Sequence, residues 1–216
     1  MSDGGVTLKE SDVSRATLGR IPAYLEYVRG LSPQTHTVSA TNIAKGLGLG
    51  EVQVRKDLGV LCGSGKPKVG YVTEELIKSL ESFLGCSDGG TVIIGAGKLG
   101  RALLDYGGFE KFGMSVLAAF DVNVCTDMLS PKGKPILSMG KLASFCADHD
   151  VRIGVIAVPE EAAQQACNAL CDNRIRAIWC FAPCRLYTPP DTVVQYENMA
   201  LSLAHLKMQI NRQQGE

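Results

Sequence analysis

Apolar residues follow two rhythms along this chain. Up to about residue 85 they recur every three or four positions. From residue 91 they come mostly in short unbroken runs. The first rhythm marks helices with one buried stripe, and the second marks strands covered on both faces. Over residues 15–29, Leu18, Ile21, Leu25 and Val28 share a stripe and predict a first helix. Pro22 is awkward inside it and fits better if Ile21-Pro22 marks the first turn. Ser39 stands as a cap before Ile43, Ala44 and Leu47, and Gly48 stops this second helix. Leu49-Gly50 makes the turn, and a third helix is expected from about Glu51 to Leu61. Together they carry a helix-turn-helix signature. The stretch from Cys62 to Val72 predicts a strand–turn–strand with a basic tip, the wing of a winged helix. A linking helix from Glu74 to Leu84 follows, and Gly85 and Ser87-Asp88-Gly89-Gly90 break the pattern.

In the second rhythm, Thr91-Val92-Ile93-Ile94 runs into Gly95-Ala96-Gly97-Lys98-Leu99-Gly100, with a helix predicted from Lys98 to Tyr106. Further strands are expected at Val116 to Asp121, Val151 to Val158 and Ala177 to Phe181. Helices alternate with them, near Leu142 to Ala147 and from Pro159-Glu160-Glu161 through Cys171. That alternation predicts an α/β fold with a Rossmann-type doubly wound parallel sheet. The expected organisation is a winged-helix domain over 1–85, a dinucleotide-binding domain over 86–190, and a terminal strand and helix over 191–216.

The final helix, about Asn198 to Asn211, is apolar on two sides. Met199, Leu203, Leu206 and Ile210 share one face, and Leu201, Ala204 and Met208 lie nearly opposite. Two stripes imply burial between two bodies. The bodies are either two subunits of a homodimer or the two domains of one chain.

The 216 residues carry no net formal charge, and 45% are hydrophobic, enough for real cores. No run approaches the roughly 20 apolar residues of a membrane span, and the first residues lack the features of a signal peptide. A cytoplasmic protein without a membrane partner is expected, so the eight cysteines read as free thiols. Neutrality hides a local bias: five basic residues and two acids lie between Lys45 and Lys68.

That bias shapes the candidate chemistry. On the third helix, Val54, Leu58 and Leu61 face one way, while Val52, Arg55, Lys56 and Gly59 face the other with Gln53 at the flank. Arg and Lys suit phosphates and guanine edges, and Gln suits adenine. The plainer reading is a solvated face with a Glu51–Arg55 pair. The basic wing favours duplex DNA. The residues assigned to DNA are Ser39, Gln53, Arg55, Lys56, Lys66, Lys68 and Tyr71.

Gly-x-Gly-x-x-Gly between a strand and a helix is how backbone amides close on a diphosphate. Asp121 follows at the distance expected of a ribose contact, and Val122-Asn123 offers no base for a 2′-phosphate, which favours NAD(H). The turns at Gly95, Asp121, Val158-Pro159 and Phe181-Ala182-Pro183 should converge on one crevice. Tyr106 is added as a residue that can reach it. No catalytic acid–base set accompanies the crevice: His36, His149 and His205 lie elsewhere, and no nucleophile elbow is present. Cys167, Cys171, Cys180 and Cys184 lack zinc-knuckle spacing and read as small buried hydrophobes, so no metal is expected. Cys180 is the thiol to test for reactivity.

The order of parts resembles the Rex family of redox-sensing transcriptional repressors. The residues that carry the resemblance are Arg20-Ile21-Pro22-Ala23-Tyr24-Leu25, Gln53-Val54-Arg55-Lys56-Asp57-Leu58, Val69-Gly70-Tyr71, the glycine turn, Phe120-Asp121, the segment from Val158 to Ala163, Phe181-Ala182-Pro183 and Glu197-Asn198. The resemblance implies a non-enzymatic homodimer that reads operator DNA and exchanges its C-terminal helix. NAD(H) is then held near the interface, and NADH releases the operator. The dimer contacts would include Met199, Leu201, Leu203, Leu206, Met208 and Ile210. The chain departs from the family pattern at Glu26, where arginine is common, and at Ala200, where aspartate is common. Those groups, with a tyrosine matching Tyr106, take part in the family's interface switch. Pro67 stands where the wing usually has arginine, and Cys62 where glycine is usual. The alternatives are a sibling that reads another nucleotide such as NADP(H), and a small nicotinamide-dependent oxidoreductase.

Overall fold

Ser14 starts the first helix: its hydroxyl accepts a hydrogen bond from the Thr17 amide at 3.1 Å. The structure is a computed structural model that describes residues 13–67, 69–84 and 89–214. It divides into two compact units between residues 87 and 88.

In the first unit, α1 spans Arg15–Arg29 and carries Pro22 in its interior. The expectation that Ile21-Pro22 opens the helix is therefore corrected. An internal proline costs about 3 kcal/mol. Ile21, Tyr24, Leu25 and Val28 around it are essentially fully buried. Each such side chain contributes about 1.5–3 kcal/mol, so packing outweighs the lost bond.

Helix α2 covers Ala40–Leu47, capped by Ser39 and ended by Gly48 in the left-handed region at φ 64°. Helix α3 follows at Glu51–Cys62 and α4 at Thr73–Phe83. Ile43, Val54, Leu58, Leu76 and Leu80 bury the inner stripes.

The wing differs from the expected hairpin. Strand β1 (Thr37–Val38) pairs antiparallel with β2 (Tyr71–Val72), the arm that follows the turn. The turn itself is closed by Lys66 and Gly70, which exchange backbone hydrogen bonds of 2.8 and 2.9 Å, and by the Val69 amide, which donates to the Lys66 carbonyl at 3.1 Å. Two-residue strands are too short to show an alternation, so β1 left no trace in the pattern. Gly70 has φ +89°, and a Cβ there would lie 2.4 Å from the Val38 carbonyl oxygen.

The second unit is a seven-stranded sheet of β3 (Gly90–Ile94), β4 (Ser115–Asp121), β5 (Met128–Leu129), β6 (Pro135–Ser138), β7 (Val151–Ile156), β8 (Ala177–Cys180) and β9 (Val193–Tyr196). The spatial order is β5-β6-β4-β3-β7-β8-β9. All pairs are parallel except β5–β6. Without β5 this is the 3-2-1-4-5-6 order of a dinucleotide-binding fold, whose strand order reverses beside β3.

Helices α6 (Leu142–Asp148) and α7 (Glu160–Asp172) lie on one face, over Val92, Ile94, Phe120 and Ile156. Helix α5 (Lys98–Leu104) lies on the other, with Leu104 against Ile93, Val116 and Val155. The register slips between Thr91 and Val92, opposite Val116 and Ala118. That bulge lets Val116 and Ala118 serve opposite faces.

Helix α8 spans Met199–Gln214, longer than expected. Every side chain described in it, Met199 to Asn211, is exposed, Leu203 by 68% and Leu206 by 53%. Among the described residues, neither apolar face of α8 is covered.

Candidate functional site

The carboxyl ends of β3, β4 and β7 build a crevice from the glycine turn outward. Gly95 has φ +103°, and its N–H donates to the Phe120 carbonyl at 2.7 Å. A Cβ on Gly95 would meet the Ala157 carbonyl oxygen at 2.6 Å, and one on Gly100 would meet the Gly95 carbonyl oxygen at 1.8 Å. These two glycines are required by the protein's own packing.

Gly97 is different. Its φ is −69°, open to any residue, and a Cβ there would meet nothing within 4 Å. Among the described residues, packing therefore does not require glycine at this position. That open backbone, at the start of α5, fits a diphosphate.

Asp121 closes the turn from the β4 side. One carboxylate oxygen accepts from the Ala96 amide and the other from the Asn123 amide, each at 2.8 Å. The Arg101 guanidinium donates to the Ala96 carbonyl at 2.7 Å. A cavity of about 230 Å³ opens beside them, lined by Gly95, Asp121, Val122, Val158 and Pro159 among the expected residues. Asn123, Met139, Ala162 and Gln165 also line it and were missed from the sequence. Asn123 adjoins the acid in sequence, but Met139 and Gln165 come from distant elements without a motif. Among the described residues, the lining holds no lysine or arginine.

Other expected residues fall elsewhere. Ala182 and Pro183 line a separate hollow with Tyr196, Glu197 and Asn198. Phe181 packs on Trp179, with ring centroids 4.5 Å apart. Lys98 is exposed and Leu99 half-buried at the start of α5. Tyr106 follows the far end of α5, roughly 10 Å along the axis from the turn. It rests edge-on against Phe109 at 5.0 Å. Within one chain the structure does not bring Tyr106 to the glycines.

Cys167 and Cys180 are fully buried. Burial raises the pKa of both, Cys167 to about 12, and the Cys180 thiol donates to the Ala182 carbonyl. Cys180 is thus a poor candidate for reactivity. Among the described residues, no group of three or more His, Cys, Asp or Glu could hold a metal ion.

The first unit presents a second surface. A hollow of about 460 Å³ between α2, α3 and the wing gathers Ser39, Arg55, Lys66 and Tyr71. Ser39 accepts from the Asn42 amide at 3.0 Å as the α2 cap. Arg55 is paired with Glu51 on the exposed face, as the plainer reading had it. Lys56 is exposed, as is Val52 beside it. Lys68 lies outside the described residues.

Beneath this face sits a residue whose role the sequence did not reveal. Asp57 is 2% exposed, on the inner side of α3. One of its oxygens accepts from Thr17 Oγ1 at 3.1 Å, an Arg20 guanidinium nitrogen at 3.1 Å and Gln53 Nε2 at 2.8 Å. The other accepts from Arg20 Nε at 2.7 Å and the Tyr24 hydroxyl at 2.6 Å. Burial alone would raise the Asp57 pKa; hydrogen bonds led by Arg20 outweigh it and hold the carboxyl below its ordinary value. Burial and donation to Asp57 push the Tyr24 hydroxyl up to about 12. The available signal was an acid three residues after Val54, on the apolar stripe.

Comparison with known proteins bears on both surfaces. The family described as putative DNA-binding protein N-terminus matches residues 12–59, and the family described as CoA binding domain matches residues 87–184. A redox-sensing transcriptional repressor Rex from Bacteroides thetaiotaomicron is 37% identical over 202 residues, covering 93% of this chain and 90% of that one. One from Clostridium perfringens is 34% identical over 196 residues, covering 90% and 92%. Among solved structures, RSP in complex with β-NAD⁺ and operator DNA matches with TM-score 0.85 at 30% identity, covering 94% of each chain. RSP in complex with β-NADH matches with TM-score 0.79 at 29% identity, covering 94% of this chain and 96% of that one. With identity at this level along nine-tenths of its length, the chain belongs to the Rex family of redox-sensing transcriptional repressors.

Proposed function

We propose that this chain acts as a homodimer that holds operator DNA through its winged-helix units and lets go when NADH replaces NAD⁺. The observation that carries the reading is the glycine turn between β3 and α5, where Gly97 leaves the backbone open and Asp121 accepts from the Ala96 amide beside a cavity, in a chain that also exposes a basic helix-turn-helix face. Relatives named redox-sensing repressors, and RSP structures that hold NAD⁺ with operator DNA or NADH, support it.

The residues divide the work. The amides of Ala96 to Gly100 would hold the diphosphate and Asp121 a ribose hydroxyl, with Val122, Met139, Val158 and Pro159 around the adenosine. A cavity lining with a carboxylate and no lysine or arginine disfavours a 2′-phosphate, and so favours NAD(H) over NADP(H). CoA shares the adenosine diphosphate, so it is the control ligand. When bound, the nicotinamide supplies a ring whose charge and shape change with redox state. The chain converts that into DNA affinity only if its two dimer arrangements bind the two forms unequally.

On DNA, Arg55, Lys56 and Lys66 would take phosphates or guanine edges, and Gln53 a base edge. Glu26 and Ala200 are exposed; they stand where the family resemblance implies an arginine and an aspartate, so a weaker redox response is expected than in a chain that keeps that pair. Among the described residues no helix is long and apolar enough to cross a membrane. A cytoplasmic site, where operator DNA and the nicotinamide pool meet, completes the proposal.

The test is fluorescence anisotropy on a duplex selected by the protein, titrated with NADH, NAD⁺ and CoA. NADH should release the duplex while NAD⁺ and CoA leave it bound. Equal effects of NADH and NAD⁺ would refute redox sensing.

A further inference from the structure

The Asp57–Gln53 contact bears on how the recognition helix chooses a base. Gln53 is exposed on α3, yet its Nε2 lies 2.8 Å from the carboxylate of buried Asp57 one turn on. A free glutamine amide can rotate by half a turn and exchange its oxygen for its nitrogen. Here it cannot do so without loss. Asp57 faces Arg20 at 2.7 Å and is an acceptor only, so the amide must turn its NH₂ end inward. One N–H is used on Asp57. What remains for a ligand is the second N–H beside the carbonyl Oε1.

That donor–acceptor pair matches adenine, which presents N7 as acceptor and the N6 amino group as donor in the major groove. Guanine presents two acceptors, N7 and O6, and would set O6 against Oε1. The anchor itself is held from behind by Thr17, Arg20 and Tyr24 of α1.

We propose that Asp57 is a specificity-determining positioning residue, which holds the Gln53 amide in the one orientation that accepts adenine and rejects guanine. This rests on the DNA-binding reading of the first unit. It assigns base choice to a side chain that never reaches DNA.

The experiment profiles the full chain against a randomised duplex library, for wild type, Gln53→Met and Asp57→Asn. Wild type should prefer adenine over guanine at one position of each half-site, by about 5- to 150-fold. Gln53→Met should lose that preference, and Asp57→Asn should lose the same preference while keeping the others. An Asp57→Asn profile that keeps it while binding every sequence more weakly would mark Asp57 as merely structural and overturn the proposal. So would a Gln53→Met profile unchanged at every position.

A second measurement needs only the folded wild type. Proton exchange of the Gln53 side-chain NH₂, assigned by its loss in Gln53→Met, should be slowed relative to an exposed amide. Free exchange of both protons would overturn the proposal even if Asp57→Asn does not fold. A wild type that enriches no sequence would overturn the DNA-binding reading, and this one with it.

Discussion

Three glycines within six positions have three different reasons to be glycine. Gly95 needs its positive φ, Gly100 needs closeness to the Gly95 carbonyl, and Gly97 needs neither. The motif could be read from spacing; the division of labour could not, because it depends on which atoms each missing Cβ would strike. It yields a paired prediction. Gly97→Ala should fold normally and gain about 0.5 kcal/mol from a stiffer unfolded chain, yet lose the NADH-induced rise in Tm. Gly100→Ala should lose both stability and the NADH response, because its Cβ would sit 1.8 Å from a backbone oxygen. Scanning calorimetry with and without NADH distinguishes them. A Gly97→Ala chain that keeps the full response would place the nucleotide elsewhere.

At the scale of elements, α2 and α3 were legible to within a residue because their ends are written locally, in Ser39 and in left-handed Gly48. What joins α1 to α3 was not legible. Asp57 meets Thr17, Arg20 and Tyr24 across 33 to 40 residues. Its folded pKa lies below its unfolded one, so the stability it contributes is complete above the unfolded value of about 4. That stability is lost as pH falls through the lower folded value. Acid unfolding of the first unit, followed by Tyr24 fluorescence, should therefore steepen below about pH 4. Asp57→Ala should remove that dependence and cost about 2–3 kcal/mol, since the buried Thr17 and Tyr24 hydroxyls would lose their acceptor. An unchanged acid transition in Asp57→Ala would show that the cluster adds no net stability.

At the scale of the whole molecule, the exposed apolar faces of α8 are suited to a second copy. Met199, Leu201, Leu203, Leu206, Met208 and Ile210 are all at least 46% exposed. A second copy would bury them, and a symmetric pair would set two recognition helices against half-sites about one helical turn apart. The intact chain is expected to sediment at twice the mass of one subunit. A chain ending before Met199 should be monomeric and lose most operator affinity. Persistence of the dimer after that truncation would move the interface elsewhere. The doubly striped pattern was visible in the sequence. That both stripes stay exposed among the described residues could be seen only in the fold.

What the sequence determined by itself is whatever depends on neighbours along the chain. That covers helix stripes and caps, the unbroken runs of a buried parallel sheet, and the fixed spacing of a turn that receives a diphosphate. What the tertiary structure decided depends on residues far apart in sequence. The second arm of the wing, β2, pairs with β1, Pro22 survives inside α1, Tyr106 lies far from the glycines, and buried Asp57 takes hold of Gln53. Periodicity reports which side of an element avoids water. It carries no information about which distant group will stand there, because that is set by how whole elements pack.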